Sequence, residues 1–178
     1  MGGGSMTAEA AYRDVPCPIG RAADVLGDRW TLLILRTATT GETRFDRFRA
    51  ELGVADNILA ARLAKLVAAG LLTKVPYRDG GRTRHEYRLT PAGADALPVL
   101  LAMARWGERH TRTTDPSGPM RVLHSVCGQA LASGEYCAHC GRLVTRDETV
   151  WIRPWRSPEP VAMAQPAVDA QGVADGAA

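Results

Sequence analysis

The pattern of the sequence changes abruptly after residue 70, and this change is the strongest constraint on the fold. Up to that point apolar residues recur at the three- and four-residue spacing of amphipathic helices. In the stretch "LLTKVPYRDGGRTRHEYRLT" the pattern on either side of "RDGGR" is instead typical of β-strands. The glycine pair, Gly80 and Gly81, can supply the positive φ that a tight hairpin requires. Two strands joined by this turn are therefore predicted.

The helical stretches in front of the hairpin are predicted from their ends and their apolar faces. Asp28 can cap "RWTLLILRTAT", Thr43 opens "RFDRFRAEL", and Gly70 stops "NILAARLAKLVAAG". An earlier stretch, "GRAADVLG", also has helical spacing. The side chains predicted to face the core are Trp30, Leu33, Ile34, Phe45, Phe48, Leu52, Ile58, Leu59, Leu63 and Leu66.

A long amphipathic helix is predicted after the hairpin. It has Thr90 as its N-cap and Pro91 at its first position, reaches His110, and is expected to bend at Pro98. Short helices, a hairpin and a long helix in this order are typical of a winged helix-turn-helix. The predicted fold is therefore mainly α with a small β-hairpin wing.

Length and charge narrow the class of protein. A chain of 178 residues can form one ordinary domain and a second small module. It contains no apolar run near the roughly 20 residues of a membrane-spanning helix and no signal-peptide pattern, so a cytoplasmic protein without membrane contact is expected. Residues 1–12, which include "MGGGS", are interpreted as an expression tag and a disordered N-terminus. From Arg13 to Arg112 there are 17 basic and 11 acidic residues, a net charge of +6, which favours nucleic acid as a partner of this part.

The charged and amide side chains of the helix-turn-helix and the wing are candidate DNA contacts. The second helix of such a motif enters the major groove, and here that helix is predicted over residues 57–69. Asn and Arg can each contact a base in bidentate fashion, whereas Ala60 and Ala61 offer only van der Waals contact. Arginines near the hairpin tip and at the start of the preceding helix are expected to reach phosphates or the minor groove. The candidate residues are Asn57, Arg62, Lys65, Arg78, Arg82, Arg84, Arg44 and Arg47.

Several separated motifs carry a family resemblance. "CPIGRAADVLGDRWTLLILR", "TRFDRFRAELGVADNILAARLAKLVAAGLL", "RHEYRLTPAG" and "LPVLLAMARWGERH" closely resemble the HxlR-type branch of MarR-like transcriptional regulators. The resemblance runs from Cys17 to about His110, within a domain assigned to residues 13–112. It implies a homodimer that pairs through its N-terminal segment and its long C-terminal helix.

Two departures from the family pattern affect the DNA-binding surface. Members usually have a Ser that caps the recognition helix where this chain has Ala55, so Asp56 is expected to cap instead and to shift the helix start by one residue. The wing is also one residue longer. Arg84 best matches the arginine of the family wing, with Arg82 as the alternative.

Cys17 is a candidate sensor of oxidants or electrophiles. It lies between two prolines, and Pro18 suits the first position of a helix, which would place the thiol where the helix dipole favours thiolate. In several regulators of the resembled family the matching cysteine senses redox state or quinone-like electrophiles. The alternative is a cysteine that packs at the dimer interface without reacting.

The stretch "HSVCGQALASGEYCAHCG" predicts a metal site. His124 and Cys127 form one short pair and Cys137 and Cys140 a second, a spacing that suits a tetrahedral zinc ion. His139 is the competing nitrogen ligand. Four protein ligands leave no open position, so the zinc would be structural and would hold together a zinc-ribbon-like module over residues 120–156 that is too small to fold alone. The alternative is a set of free thiols in an unstructured tail.

The end of the chain completes the predicted domain plan. Trp151 and Trp155 are expected to pack the module onto the winged domain or onto a partner subunit, and the Pro- and Ala-rich residues 157–178 are expected to be disordered.

Three functions are compared at this point. The first is a dimeric repressor that binds a pseudo-palindromic operator and responds to oxidants through Cys17. The second keeps the fold but places a small-molecule inducer at the dimer interface. A zinc-dependent or thiol-redox enzyme is the third, and it is disfavoured because the ligand set is closed and no nucleophile is paired with a base.

Overall fold

The computed structural model describes residues 16–131 and 136–167, so the predicted tag lies outside the described part. The helices within it are α1 (Pro18–Leu26), α2 (Arg29–Thr39), α3 (Phe45–Leu52), α4 (Asp56–Ala68), α5 (Pro91–Ala94) and α6 (Leu97–His110). The strands are β1 (Leu72–Asp79), β2 (Arg82–Leu89), β3 (Arg121–His124), β4 (Thr149–Arg153) and β5 (Ser157–Ala162). None of these helices has the length and apolar character needed to cross a bilayer.

The core of the winged domain is built from the apolar faces of α2, α3 and α4. Most of the side chains assigned to it from the sequence are buried or half-buried, with Phe48, Leu59 and Leu63 fully enclosed. Ile58 is the exception. It was predicted to face inward, but 39% of it is exposed because Leu59, its neighbour on the same helix, occupies the inward position.

The wing has the predicted form. Strands β1 and β2 pair antiparallel from Leu72 opposite Leu89 to Asp79 opposite Arg82, which leaves a two-residue turn. Gly80 and Gly81 in this turn have φ values of 55° and 81°. Positive φ at both central positions matches the twist of the flanking strands, and only glycine adopts it without strain.

The segment after the wing differs from the single bent helix that was predicted. It is divided into α5 and α6, and the break lies before Pro98 rather than at it. Pro98 is in the first turn of α6, where its missing N–H has no helical partner to lose. Thr90 caps α5 as expected, with its hydroxyl accepting the N–H of Gly93 at 3.1 Å.

The start of the recognition helix α4 also differs from expectation. Ala55 is its N-cap residue, no side chain caps it, and Asp56 is the first helical residue instead of the cap. Asp56 still contributes a negative charge to the first turn, where the helix dipole favours it. Its carboxylate is 3.4 Å from Nη1 of Arg49 on α3.

The C-terminal module is a three-stranded antiparallel sheet in the order β3-β4-β5. Two short turns, one before and one after the break in the described part at residues 132–135, are closed by the bridges Leu123–Ala130 and Tyr136–Leu143. Strand β5 lies beyond the predicted end of the module at residue 156, so the prediction of disorder is wrong for residues 157–167. An edge strand tolerates the two prolines of β5. Residues 168–178 lie outside the described part.

Both parts of the chain share one hydrophobic core. Trp151 on β4 and Met163 after β5 are buried in the same cluster as Ile34 and Phe48, which confirms the packing expected of Trp151. Trp155, the second tryptophan named for this role, is 44% exposed. The segment after β5 also adds hydrogen bonds, because the N–H groups of Ala164 and Ala167 donate to carbonyls of the winged domain. The module is thus an integral part of the fold.

Candidate DNA-binding surface and metal cluster

The outward face of α4 is formed by small and polar residues. Asn57, Ala60, Ala61 and Lys65 are exposed, and buried leucines on the opposite face fix the helix against α2. Arg62 is half-buried. The face can therefore approach another molecule closely without displacing bulky side chains.

Arg62 is held by the residue that caps α2. The carboxylate of Asp28 accepts the N–H groups of Trp30 and Thr31 through Oδ1, at 3.0 and 3.1 Å. Its other oxygen, Oδ2, is 3.2 Å from Nη2 of Arg62. One side chain thus starts α2 and orients an arginine of the recognition helix α4.

The arginines of the wing and of α3 form a second group. Arg84 is paired with Asp79 at 3.2 Å across the hairpin, and Arg44 is 3.7 Å from Glu86 with its guanidinium 4.8 Å from the centre of the Tyr77 ring. All the side chains of this group are exposed and lie on α3, on β1 and β2, or beside them. The group comprises Arg44, Arg47, Arg78, Arg82 and Arg84.

The four residues predicted as metal ligands converge in the C-terminal module. One ligand atom from each of His124, Cys127, Cys137 and Cys140 lies within 4.8 Å of the others. Nδ1 of His124 is 3.4 Å from the sulfur of Cys127 and 3.3 Å from that of Cys140, and the sulfurs of Cys127 and Cys137 are 3.7 Å apart. The cluster is able to hold a metal ion.

Glycines shape the two turns that carry the thiols. Gly128 and Gly141 each follow a cysteine and have a φ of 70°. In the second turn the N–H groups of Cys140 and His139 donate to the sulfur of Cys137 and lower the pKa of this thiol to about 6. Stabilised thiolate is the form that binds a metal.

His124 is oriented by a carboxylate on its far side. It is fully buried, and its Nε2 is 3.2 Å from Oε2 of Glu148, whose other oxygen accepts a bond of 2.8 Å from Arg142. This arrangement leaves Nδ1 directed at the thiols, because a carboxylate on one ring nitrogen fixes the orientation in which the other nitrogen can bind a metal. His139, the competing ligand, is exposed and lies outside the cluster.

Cys17 lies apart from the cluster, at the N-cap of α1 with Pro18 in the first turn. It is exposed and its side chain does not cap the helix. The predicted position at the helix start is therefore confirmed.

The model of the HxlR-like helix-turn-helix family matches residues 25–115. This span is just over half of the chain. The chain belongs to the HxlR-like family. The family consists of DNA-binding transcriptional regulators and not of enzymes.

Individual relatives support the same assignment. An uncharacterized HTH-type transcriptional regulator of Mycobacterium tuberculosis is 40% identical over 128 residues, which are 71% of this chain and 79% of the relative. The crystal structure of PA1607, described as a candidate transcription factor, has a TM-score of 0.61 and 38% identity and covers 77% of this chain and 94% of its own. The redox regulator HypR in its oxidized form has a TM-score of 0.50 and 28% identity, covering 55% of this chain and all of its own.

Sequence reasoning missed three partners of this HxlR-like chain's functional residues. These are Asp28 as the partner of Arg62, Glu148 as the support of His124, and Glu51, which is buried among three arginines. Asp28 had been identified as a cap, but its second oxygen was not assigned. No local pattern marks Glu148 or Glu51, because each meets its partners only through the fold.

Proposed function

We propose that this HxlR-like regulator is a dimeric repressor that binds a pseudo-palindromic operator, with α4 in the major groove of each half-site. The observation that carries the proposal is the exposed, small-residue face of α4 beside an arginine-bearing wing. Two copies related by a two-fold axis would present two such helices to successive major grooves. The relatives come from prokaryotes, whose chromosome lies in the cytoplasm, and we place the protein there.

The dimer surface is formed by α1 and α6. Ile19 on α1 is 78% exposed and Trp106 on α6 is 62% exposed, and Val99 and Met103 extend the stripe on α6. No residue of α1 is buried within the described chain. Exposed apolar residues at this helical spacing on α6, with Ile19 exposed on α1, mark an interaction site, and a second copy of the chain would bury them.

The candidate DNA contacts divide into two roles. Asn57 and Arg62 lie on α4 and would contact base edges, for which Arg62 must exchange Asp28 for guanine. Lys65 and the arginines of α3 and the wing would contact phosphates, with the wing tip also near the minor groove. The residues assigned to phosphate contacts are Lys65, Arg44, Arg47, Arg78, Arg82 and Arg84.

Salt titrations of DNA binding test these roles. We expect Arg84→Ala to weaken binding to all sequences alike and to reduce the salt slope by about one, since one phosphate contact is lost. Arg62→Ala should relax the preference for the operator by about 1–3 kcal/mol. Arg112→Ala, an exposed arginine beyond α6, is the control. The opposite pattern for Arg62 and Arg84 would contradict the roles assigned to them.

We propose further that the metal held by the cluster is a structural zinc ion. Zinc bonds of about 2.3 Å to sulfur and 2.0–2.1 Å to nitrogen place tetrahedral ligands about 3.8 Å apart for two sulfurs and about 3.6 Å apart for sulfur and nitrogen. Three of the six ligand separations here are 3.7 Å for two sulfurs and 3.3–3.4 Å for sulfur and nitrogen, and all six are within 4.8 Å. Four protein ligands complete the coordination, so the ion would support the fold rather than activate water.

Native mass spectrometry of the reduced protein tests both proposals. We expect a dimer with two zinc ions, and Cys137→Ser should lose the metal whereas Cys17→Ser should retain it. A monomeric, metal-free protein that zinc does not restore would contradict both.

A redox response through Cys17 is the second part of the proposed function. An exposed thiol at the start of α1 is accessible to oxidants and lies two residues before Ile19, which we assign to the dimer surface. We expect Cys17→Ser to bind the operator normally and to lose any response to diamide. A variant that is still released from DNA by diamide would move sensing to another residue.

A further inference from the structure

A cavity behind α6 has no role in the proposed DNA binding or metal binding. It has a volume of about 580 Å³ and lies between α5, α6 and the metal-bearing module. This volume is within the range of small-molecule sites. A neighbouring hollow of about 550 Å³ shares Arg105 and Leu131 with it, so the two form one groove along α6.

The cavity has an apolar wall and two arginines. Leu97, Leu101, Leu131 and Val144 supply the apolar surface. Arg105 makes no hydrogen bond or ion pair with the described residues, and its Nε is shielded from water. An unpaired guanidinium of this kind is costly, and a bound anion would relieve the cost.

Arg146 is the second arginine, and it is held in place by the backbone. Its Nε donates to the carbonyl of Ala164 at 2.6 Å and its Nη1 to that of Ala94 at 3.0 Å. Its Nη2 is buried, with no hydrogen-bond partner among residues 16–131 and 136–167. Burial lowers the pKa of Arg146 and Asp95 acts in the opposite direction, but an arginine remains charged at neutral pH.

The charges of the cavity select the kind of anion. Asp95 is the acidic group in the wall of this cavity and offsets one of its two arginines, and the adjoining hollow adds Glu108, Arg109 and Arg121, so the whole groove has a net charge of +2. A positive groove with an apolar wall suits an amphipathic anion. The guanidinium of Arg105, which has no ion pair among the described residues, can donate to both oxygens of a carboxylate, and Arg146 adds positive charge to the same wall.

We propose that this cavity binds an amphipathic carboxylate, with its apolar body against α6 and its carboxylate on Arg105. The site differs from the dimer surface, because α6 turns about 100° per residue. Leu97, Leu101 and Arg105 therefore lie on the face of α6 opposite Met103 and Trp106. A ligand here would contact both α6 and the metal-bearing module, and any effect on operator affinity rests on the proposed function.

Titration of the DNA-free protein with 1-naphthoate tests the site directly. We expect saturable binding with a dissociation constant of about 1 mM or below, as the ligand efficiency of a molecule of this size allows. The neutral 1-naphthamide should bind at least about tenfold more weakly because it lacks the charge. Equal binding of the amide, or tighter binding of 1-naphthyl phosphate, would overturn the assignment to a carboxylate. Absence of saturation at about 5 mM would overturn the site.

Substitutions and NMR spectra of the side-chain methyl groups locate the ligand. Arg105→Gln should weaken 1-naphthoate about tenfold, and Arg112→Gln, which removes the same charge outside the cavity, should not. The methyl signals of Leu101, Leu131 and Val144 should shift on binding. Shifts at Val99 and Met103 instead would place the ligand at the dimer surface and refute the proposal. Since no DNA is present, failure here is separate from failure of the repressor assignment.

Discussion

Single side chains in this protein serve two elements at once. Asp28 caps α2 with one oxygen and holds Arg62 of α4 with the other. His124 presents Nδ1 to the thiols because Glu148 takes its Nε2. Each residue is a small polar link whose loss affects both elements that it joins.

Replacement of Asp28 separates its two roles. Asp28→Ala should lower the free energy of unfolding by about 1 kcal/mol, since an N-cap contributes about that much. Asp28→Asn keeps an oxygen for the cap but removes the charge opposite Arg62. It should lower the free energy of unfolding by less than half as much as Asp28→Ala. Urea unfolding measures both. Equal losses would mean that the ion pair, rather than the cap, stabilises this corner.

At the scale of elements, two close contacts join the wing and the module to the helices. One is the approach of α5 to the chain that enters β1, where Gly93 faces the carbonyl of Leu71. The other is the carboxylate of Glu51 on α3, which is buried and lies 3.2 Å from Arg36, 3.0 Å from Arg153 and 2.8 Å from Arg156. Because Arg153 and Arg156 belong to β4 and the turn after it, this cluster fastens the C-terminal module to the helix-turn-helix.

The approach of α5 predicts opposite effects at two helical glycines. A Cβ at position 93 would collide with the backbone oxygen of Leu71, so Gly93→Ala should destabilise the protein by about 1–3 kcal/mol. At position 107 the nearest atom, Oγ1 of Thr111, is 3.9 Å away, and Gly107→Ala should stabilise α6 by up to about 1 kcal/mol. Thermal unfolding compares them. A stable Gly93→Ala variant would contradict the close approach.

The Glu51 cluster predicts a large effect of a small substitution. Glu51→Gln leaves the buried Arg153 without its charge partner and should lower the free energy of unfolding by about 3 kcal/mol. Arg156→Gln removes an arginine that is half exposed, so its effect should stay within about 1 kcal/mol. Chemical denaturation distinguishes the two. Similar small losses would show that the cluster is solvated in solution.

At the scale of the whole molecule, the module and the winged domain share a core. Trp151 and Met163 pack with residues of α2 and α3, and Ala164 and Ala167 are hydrogen-bonded to the winged domain. The alignments with the relative from Mycobacterium tuberculosis and with PA1607 also extend over more of the chain than the family model does. Loss of order in one part should therefore reach the other.

Removal of the metal by a chelator tests this coupling. We expect one unfolding transition that moves down by about 10 °C, because a ligand present at about a thousandfold its dissociation constant contributes about 4 kcal/mol. Circular dichroism of the helices and tryptophan fluorescence should report the same midpoint. Two separate transitions, with the helical signal unchanged, would show instead that the module unfolds independently.

Local patterns in the sequence were sufficient for much of this protein. Helical periodicity, the capping residues Asp28 and Thr90, the Gly80–Gly81 turn and the paired ligand spacing depend on neighbours a few positions apart, and the structure agrees with each. The outcome was different where partners are distant in the chain. The proline-rich composition of β5 predicts a disordered tail. The strand is ordered because β4 provides an edge with which it pairs. The ion pairs of Glu51 and Glu148 and the cavity behind α6 likewise form only when segments separated by many residues pack together. No short stretch of sequence contains that information.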